Sequence, residues 1–531
     1  MRQVNSMTIF TRLMTMIRQV LGRMIPYRNI ESVERVETPL STEMTNALNL
    51  WYELYRDQAW WLEKGKVKSM NLPAMISSEV ARQIVLEMKW NITGKGKDGK
   101  TTDDSGADVT NPRSEYLKAE FEKLMSVLRL KLEQGCAAGG MIIKPYPNQT
   151  DQHIYFDWAM DWGFYPLAFD DDGNLSDVII PDIFQDGKTT YTRLERHTVV
   201  KEGVQITQRA FKSTQKDSLG TEIDLTDVDR WASLQPEATV TDTDGPLFGW
   251  FKVAAANNID IDCPLGASVF AKAVGVIQEA DRQYSRLLWE YEGSELAIDV
   301  DPTVLRPHKT EGGKVEMPKL NERLFRAVDA DKGDRDLYEV FSPAIRDTSL
   351  LNGLNQLLKR VEDLSGLSRG TLSDANVDAR TATELKIIKQ RSYQTISDNQ
   401  RALEYCLRNV VRAMDRYATL YNFAPVGEYE ISFTWDDSIL TDADMQTQER
   451  MMLLNAGIIG RAEFRKWYFG ETEAQAHDAI EQIAKEQADQ MAAMNPQLPK
   501  LDDQGNGGGP LPEPDEQEEK RTTRGKGDEV E

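Results

Sequence analysis

One stretch of the chain fits the pattern of a phosphate-binding loop, G-x-x-x-x-G-K-[ST], over residues 94–101. Such a loop cradles phosphates with backbone amides and must join a buried strand to a helix. Here residues 89–93 are half polar, and residues 102–110 are rich in Asp, Ser and Gly without a helical stripe. We therefore interpret the match as an exposed polar loop and predict no nucleotide site.

Two groups of carboxylates could hold a divalent cation. Residues 170–174 are similar to the start of a calcium-binding loop, but its sixth and twelfth positions, which need Gly and Glu, hold Leu175 and Pro181. A β-turn fits better. The second group, which a nuclease could use for metal, is Asp436, Asp437, Asp442 and Asp444. The last two also suit a helix start, where carboxylates interact favourably with the helix dipole.

Nucleophiles and soft metal ligands are scattered along the chain. The cysteines are Cys136, Cys263 and Cys406, and the histidines are His153, His197, His308 and His477. No two of them have ligand spacing, so neither a disulfide nor a zinc site is predicted, and a reducing compartment fits best. Histidine, the usual general base in nucleophilic catalysis, is scarce in this chain. We expect no enzyme activity, no cofactor and no metal.

Length and charge limit the remaining classes. The 531 residues indicate three or four structural units, and the formal net charge is -23. A protein that coats a DNA duplex needs an excess of Lys and Arg, so the charge argues against tight static DNA binding. The charge fits either simple solubility or an anionic surface that DNA passes without adhering.

Two apolar or aromatic segments near the N-terminus leave alternatives open. An apolar stripe predicts a helix over residues 1–25, which either packs on protein or lies on a membrane surface. No run has the length of a transmembrane helix, and no signal-peptide pattern is present. The aromatic residues Trp51, Tyr52, Tyr55, Trp60 and Trp61 indicate core or subunit contacts, with a platform for nucleotide bases as the alternative.

The order of predicted elements is more informative than any motif. Helices are predicted over 40–90 and 114–138, followed by short antiparallel strands over 140–240 with turns at 172–173, 186–187 and 202–203. A helix over about 264–296, roughly 50 Å long at about 1.5 Å per residue, precedes an irregular insert and two more helices. A strand over Tyr429–Trp435 and helices over about 442–491 complete an α+β, mainly helical chain.

Several short segments resemble portal proteins of tailed bacteriophages, especially those of the Gram-positive-type siphophages. These segments are residues 257–260, 264–270 and 281–285, then 341–346, 366–372 and 381–384. Their order matches the family's first stem helix, its return from the clip, its tunnel loop and its long kinked helix. The resemblance implies a portal-type subunit with wing, stem helix hairpin, clip insert and crown, in a ring of about twelve copies.

The resemblance also divides the chain into domains. They are an N-terminal amphipathic helix 1–25, wing 26–256 (a helical part, then a β-rich part), first stem helix 257–296, clip 297–344, second stem helix 345–366, tunnel loop 367–380, long kinked helix 381–422, wing return strand 423–440, crown helices 441–494 and a disordered tail 495–531. Deletion of the tail is expected to leave ring formation intact.

The implied function is that of a ring at one capsid vertex, the conduit for DNA packaging and ejection. The implied partners are further copies of the chain, double-stranded DNA in the channel, the terminase large subunit, head-completion proteins and capsid or scaffolding proteins, without a membrane. The implied location is the virion, and the host cytoplasm during assembly. The alternative is a metal-dependent DNA-processing enzyme that uses the carboxylates near Asp442.

Two sets of site residues follow from the resemblance. The channel loop is Ser373, Asp374, Ala375, Asn376 and Asp378, whose small or acidic side chains suit weak contacts with passing DNA. Without the resemblance, the same residues would form an ordinary solvated loop between helices. Arg323 and Arg326 are assigned to the clip surface on which the terminase and the head-completion proteins dock.

Overall fold

The computed structural model divides the chain into two compact units, residues 1–440 and residues 441–531. The described residues are 27–36, 38–62, 66–86, 88–96, 99–102, 108–215, 218–294, 297–300, 308–309, 315–316, 325–327, 338–341, 344–374, 382–435, 443–471 and 473–494. They contain both helices and strands, which confirms the α+β class. The predicted N-terminal helix and the predicted tail lie outside them.

The helical front of the first unit is built from helices and one strand. The helices are α1 (Tyr27–Glu34), α2 (Thr42–Tyr55), α3 (Leu72–Val85) and α4 (Pro112–Ala138), and the strand is β1 (Met88–Gly94). The Ser41 hydroxyl accepts a hydrogen bond from the amide of Met44 at the start of α2. Asn111 and Ser114 form a capping box at the start of α4. The sequence prediction for α4 is confirmed, including its end at Gly139.

The β-rich region that follows is antiparallel, as predicted. Its strands are β2 (Gly140–Asn148), β3 (His153–Met160), β4 (Tyr165–Phe169), β5 (Leu175–Asp186), β6 (Thr189–Val200), β7 (Gly203–Ser213), β8 (Thr221–Ile223), β9 (Glu237–Thr241) and β10 (Gly249–Lys252). Strands β4 to β8 are consecutive neighbours, with β9 beside β7, and β2 lies between β3 and β10. The predicted turns join β4 to β5, β5 to β6 and β6 to β7.

A helical hairpin with an insert at its tip comes next. Its arms are α5 (Val274–Gly293) and α6 (Asp347–Ser365), which pack on each other. The insert contains the short strands β11 (Ala297–Val300), β12 (His308–Lys309), β13 (Val315–Glu316), β14 (Phe325–Ala327) and β15 (Tyr338–Phe341). Ala297 lies opposite Phe341 in an antiparallel pair, so the two ends of the insert meet beside the helix ends.

The predicted start of the first arm was wrong. Helix α5 begins at Val274 after a short 3-10 turn, so its 20 residues span about 30 Å rather than 50 Å. The preceding segment is held in a different conformation by the end of α4. The Val269 amide bonds the Cys136 carbonyl, and Gly266 approaches the Gly139 backbone too closely for a side chain. This hydrogen bond and this close approach keep the segment out of a regular helix.

Helix α7 (Ala382–Leu420) and strand β16 (Tyr429–Trp435) return the chain to the front of the unit. From the sequence, seven apolar residues at helical spacing are predicted to share one face of the later part of α7. Tyr421 is half-buried, and the other six are buried: Leu403, Leu407, Val410, Val411, Met414 and Tyr417. Helix α7 packs against β2, β10, α3 and α4, and β16 pairs with β1 over its whole length. One apolar core therefore joins the helical front, the smaller sheet, the hairpin and α7.

The buried Arg113 ties the start of α4 to the end of α7. Its guanidinium donates to the carbonyls of Pro425 and Asp415 and to the Thr419 hydroxyl, at 3.0–3.2 Å. It also lies 3.4 Å from the Asp415 carboxylate. These acceptors satisfy the buried charge.

The second unit is helical in its described part. It contains α8 (Ala443–Asn455), α9 (Arg461–Phe469) and α10 (Glu473–Met494), as the sequence predicts. Gly470 has a positive φ and ends α9 in the left-handed conformation. Across both units, the described residues include no helix with the length and apolar character needed to cross a membrane.

Candidate functional site

The predicted channel loop begins at a sharp reversal of the chain at the end of α6. Gly366, with a φ of 73°, ends the helix in the left-handed conformation. A Cβ on Gly366 would lie 2.9 Å from the Thr395 hydroxyl of α7, so glycine is also needed for the contact between the two helices. The next residue, Leu367, is buried in the main core. The base of the loop is therefore fixed against both helices.

The carboxylate of Glu362, in the last turn of α6, is the centre of this loop base. Its Oε1 atom accepts hydrogen bonds from the backbone amides of Gly370, Leu372 and Ser373. Its Oε2 atom accepts one from the Ser373 hydroxyl at 2.8 Å. Glu362 is 0 % exposed, so these donors replace its hydration completely.

A second polar residue of α6 holds the far end of the same segment. The Asn355 side-chain oxygen accepts a hydrogen bond from the Asp374 amide at 2.9 Å. Asn355 precedes Glu362 by seven residues, which is about two helical turns. Residues 366–374 therefore run back beside α6 instead of leaving it at Gly366. On the surface of this segment, Arg369 forms an exposed pair with Asp363 at 2.9 Å.

The predicted loop residues fall into two groups. Ser373 is buried and belongs to the Glu362 cluster, whereas Asp374 is exposed. Ala375, Asn376 and Asp378 lie outside the described residues. The contact of this loop with DNA therefore stays a prediction.

At the opposite end of the hairpin, a second carboxylate joins the two helices. Glu290 of α5 accepts two hydrogen bonds from the Arg346 guanidinium and one from the Arg346 amide, at 2.8–3.2 Å. These bonds lower the pKa of Glu290, because they stabilise its charged form. The insert they close carries one predicted docking residue, Arg326, in β14, while Arg323 lies outside the described residues.

Midway along α5, the buried Asp281 anchors the aromatic segment that follows α2. It accepts hydrogen bonds from the Trp61 indole and the Met70 amide, both at 2.9 Å. Burial raises the pKa of Asp281, and these two bonds only partly oppose the shift. Trp51 and Trp61 are core residues, as expected, but Trp60 is 70 % exposed. The expectation of core or subunit contacts is thus confirmed as core for Trp51 and Trp61, and for the exposed Trp60 a subunit contact stays a prediction.

The motifs that resemble enzyme sites have structural roles where they are described. In residues 94–101, the amides of Gly94, Gly96 and Gly99 bond to carbonyls of the same loop region, and α4 begins only at Pro112. Asp170 accepts from the amides of Asp172 and Asn174 in the β4–β5 turn. No group of three or more potential metal ligands occurs in the described part of the chain. Asp436, Asp437 and Asp442 lie outside it, and Asp444 lies in α8.

The side chains that organise this site were not singled out from the sequence. Glu362 and Asn355 share a helix face with Leu358, at spacings of three and four residues, so polar groups occupy the buried stripe of α6. Polar residues on a buried helix stripe, followed by the glycines Gly366 and Gly370, indicate that the polar groups bind a chain that turns back along the helix. Asp281 gives a similar signal beside Ile277 and Ala280 on α5.

Comparison with known proteins identifies the family. The model of the family described as phage portal protein, SPP1 Gp6-like, matches residues 87–493, from β1 to α10. The chain belongs to this phage portal family. The match covers the hairpin, the insert and the loop base in one continuous range. Family membership gives the chain a structural role as a capsid portal, in the virion, within an oligomeric ring.

The other comparisons add little. A solved structure titled "Neck of empty GTA particle computed with C6 symmetry" is similar at 10 % identity and a TM-score of 0.32, over 78 % of this chain and 92 % of the other. No curated protein matches the chain. The family assignment therefore rests on the family match alone.

The burial of Asp281 predicts a pH dependence of stability. Because its pKa is raised on folding, the folded protein binds a proton more readily than the unfolded chain between the two pKa values. This residue should therefore lower the free energy of unfolding as pH rises from about 4 through the raised pKa. Chemical unfolding at several pH values should show a flatter pH profile for Asp281→Asn than for the wild type.

A matched control is Asp398→Asn, which changes an exposed carboxylate on α7. It should keep the wild-type slope. Equal slopes for wild type and Asp281→Asn would contradict the assignment.

Proposed function

We propose that the chain forms a closed ring at one capsid vertex and that DNA enters and leaves the head through this ring. The observation that carries the proposal is the continuous match of residues 87–493 to the phage portal family. The hairpin, its insert and the anchored loop supply the parts that such a conduit needs: a wall, a docking end and a contact with the passing duplex.

The surface of the hairpin supports ring formation. Four large apolar side chains are exposed on or beside its helices: Trp289 (66 %), Tyr291 (42 %), Ile345 (47 %) and Leu351 (45 %). Leu287 and Leu354 take buried positions on these helices, whereas Tyr291 and Leu351 do not. Exposed aromatic residues of this kind mark protein interfaces. A heterologous contact between identical copies closes into a ring when its rotation divides a full turn.

The purified chain should form rings visible by electron microscopy, and Trp289→Glu should shift it to monomers, because a buried unpaired carboxylate is costly at an interface. Sedimentation velocity would measure the shift.

Val426→Glu is the matched control, since Val426 is 81 % exposed but lies outside the hairpin. This variant should still form rings. A wild-type chain that stays monomeric at every concentration, with and without capsid or scaffolding proteins, would contradict the proposal.

The insert is proposed as the clip, which binds the terminase large subunit during packaging and head-completion proteins afterwards. It joins the two arms at the tip of the hairpin, and mixed charge along its sequence suits partners that are exchanged. Arg323→Glu and Arg326→Glu should leave rings intact and weaken terminase binding by at least about tenfold, since reversing an interfacial charge costs several kcal/mol. Binding of terminase to immobilised rings measures this. Unchanged affinity in both variants would place docking elsewhere.

The loop that begins at Asp374 is proposed to touch DNA in the channel. Its acidic and small polar residues would repel or only briefly bind phosphates, as sequence-independent transit requires. Changing Asp374 and Asp378 together to Lys should leave the ring assembled and reduce packaging, because each added cation strengthens phosphate binding. The defect should ease at higher salt. Normal packaging by the double variant would reject the electrostatic role.

The finer parts of the proposal follow the family resemblance. They are a ring of about twelve copies, the wing, stem, clip and crown divisions given above, and residence in the host cytoplasm during assembly. No observation on the described residues favours the alternative of a metal-dependent DNA-processing enzyme.

A further inference from the structure

The portal role by itself does not explain why the chain returns along α6 before it leaves for α7. The returning segment, residues 366–374, is hydrogen-bonded to α6 at two positions along the helix, first at Glu362 and then at Asn355. The Asn355 bond lies about two turns before the end of α6 and is made by a side chain, so it does not cap the helix. It sets the point from which the following residues leave the helix.

The chemistry of this attachment is specific to a carboxylate. Three backbone amides converge on one oxygen of Glu362, and a hydroxyl reaches the other. Successive N–H groups that point inwards form an anion-binding nest, here filled by a side chain of the same protein. An apolar residue at position 362 would leave the amides of Leu372 and Ser373 without their acceptor.

The positive φ of Gly370, 92°, allows the backbone to turn its amide towards Glu362. The Gly370 amide also lies 3.2 Å from the Ser373 hydroxyl oxygen, so the nest is closed on itself. Residues 370–373 therefore form one hydrogen-bonded unit with the Glu362 carboxylate.

We propose that Glu362 is the positioning residue of the channel loop. Its carboxylate fixes residues 370–373, so that the loop starts beside Asn355 instead of at Gly366. The inference rests on the proposed function. A loop that contacts DNA must leave α6 at the same position along the helix in every copy of the ring.

Hydrogen exchange of assembled rings tests the attachment itself. In Glu362→Ala, the amides of Leu372 and Ser373 should exchange at least about tenfold faster, since they lose their acceptor. Glu362→Gln should stay within about threefold of wild type, because its Oε1 atom still accepts from the amides and the Ser373 hydroxyl can turn to accept from the new NH2 group. Unchanged exchange in Glu362→Ala would overturn the proposal.

DNA packaging into heads tests the positioning role. Glu362→Ala rings should package at least about tenfold less DNA, while Glu362→Gln restores packaging, because a misplaced contact residue loses much of its effect. Asp363→Ala is the matched control: it removes the adjacent exposed pair with Arg369 and leaves the Glu362 cluster intact. It should package like the wild type. Fast exchange with normal packaging in Glu362→Ala would also overturn the proposal.

Two further comparisons keep the result interpretable. If Glu362→Ala does not form rings, Ser373→Ala and Asn355→Ala remove single contacts of the same attachment, and wild-type exchange and packaging in both would overturn the proposal. If Glu362→Ala impairs packaging while the Asp374 and Asp378 double Lys variant does not, the positioning role stands and only the electrostatic role of the loop fails. If neither variant impairs packaging, the channel loop itself is rejected.

Discussion

A helical hairpin must turn the chain at both of its ends without leaving buried backbone groups unpaired, and this constraint organises the first unit. At the tip, the Glu290 carboxylate accepts hydrogen bonds from both the guanidinium and the backbone amide of Arg346. At the base, Glu362 accepts hydrogen bonds from three backbone amides of the returning chain, those of Gly370, Leu372 and Ser373. A carboxylate can accept several hydrogen bonds at once, which makes it suited to gather the donors of a turn. The insert and the loop are therefore joined to the hairpin by polar contacts of defined geometry.

The rest of the unit holds this hairpin in place. Asp281 joins α5 to the segment after α2, Thr395 of α7 contacts Gly366, and Arg113 ties the start of α4 to the end of α7. The apolar core fills the space between these ties. Because one core and a few buried charges link the hairpin to the sheet and the helical front, a local change in any of them is transmitted through close-packed contacts.

The sequence predicts the order of elements well because that order follows from periodicity and turn residues. The β-rich region, α4, the buried face of α7 and the pairing partner strand Tyr429–Trp435 were all readable in this way. Prediction from the sequence fails where tertiary contacts determine the local structure. A hydrogen bond and a close approach to the end of α4 keep residues before Val274 out of the helix, and Glu362 lies on a stripe that apolar periodicity alone assigns to the core. Contacts of Arg323, Asn376 and Asp378 stay predictions.

The attachment of Asp374 to Asn355 also limits how far the chain between α6 and α7 can reach from the two helices. Ala382, where α7 begins, follows Asp374 by eight residues, and at about 3.5 Å per residue the intervening chain can extend to roughly 28 Å. A segment that leaves and returns can therefore extend no further than about half that length, roughly 14 Å, from its two fixed ends. In the proposed ring, where this loop touches DNA in the channel, the length of this segment would set how far the loops can narrow the bore, in addition to their side-chain chemistry.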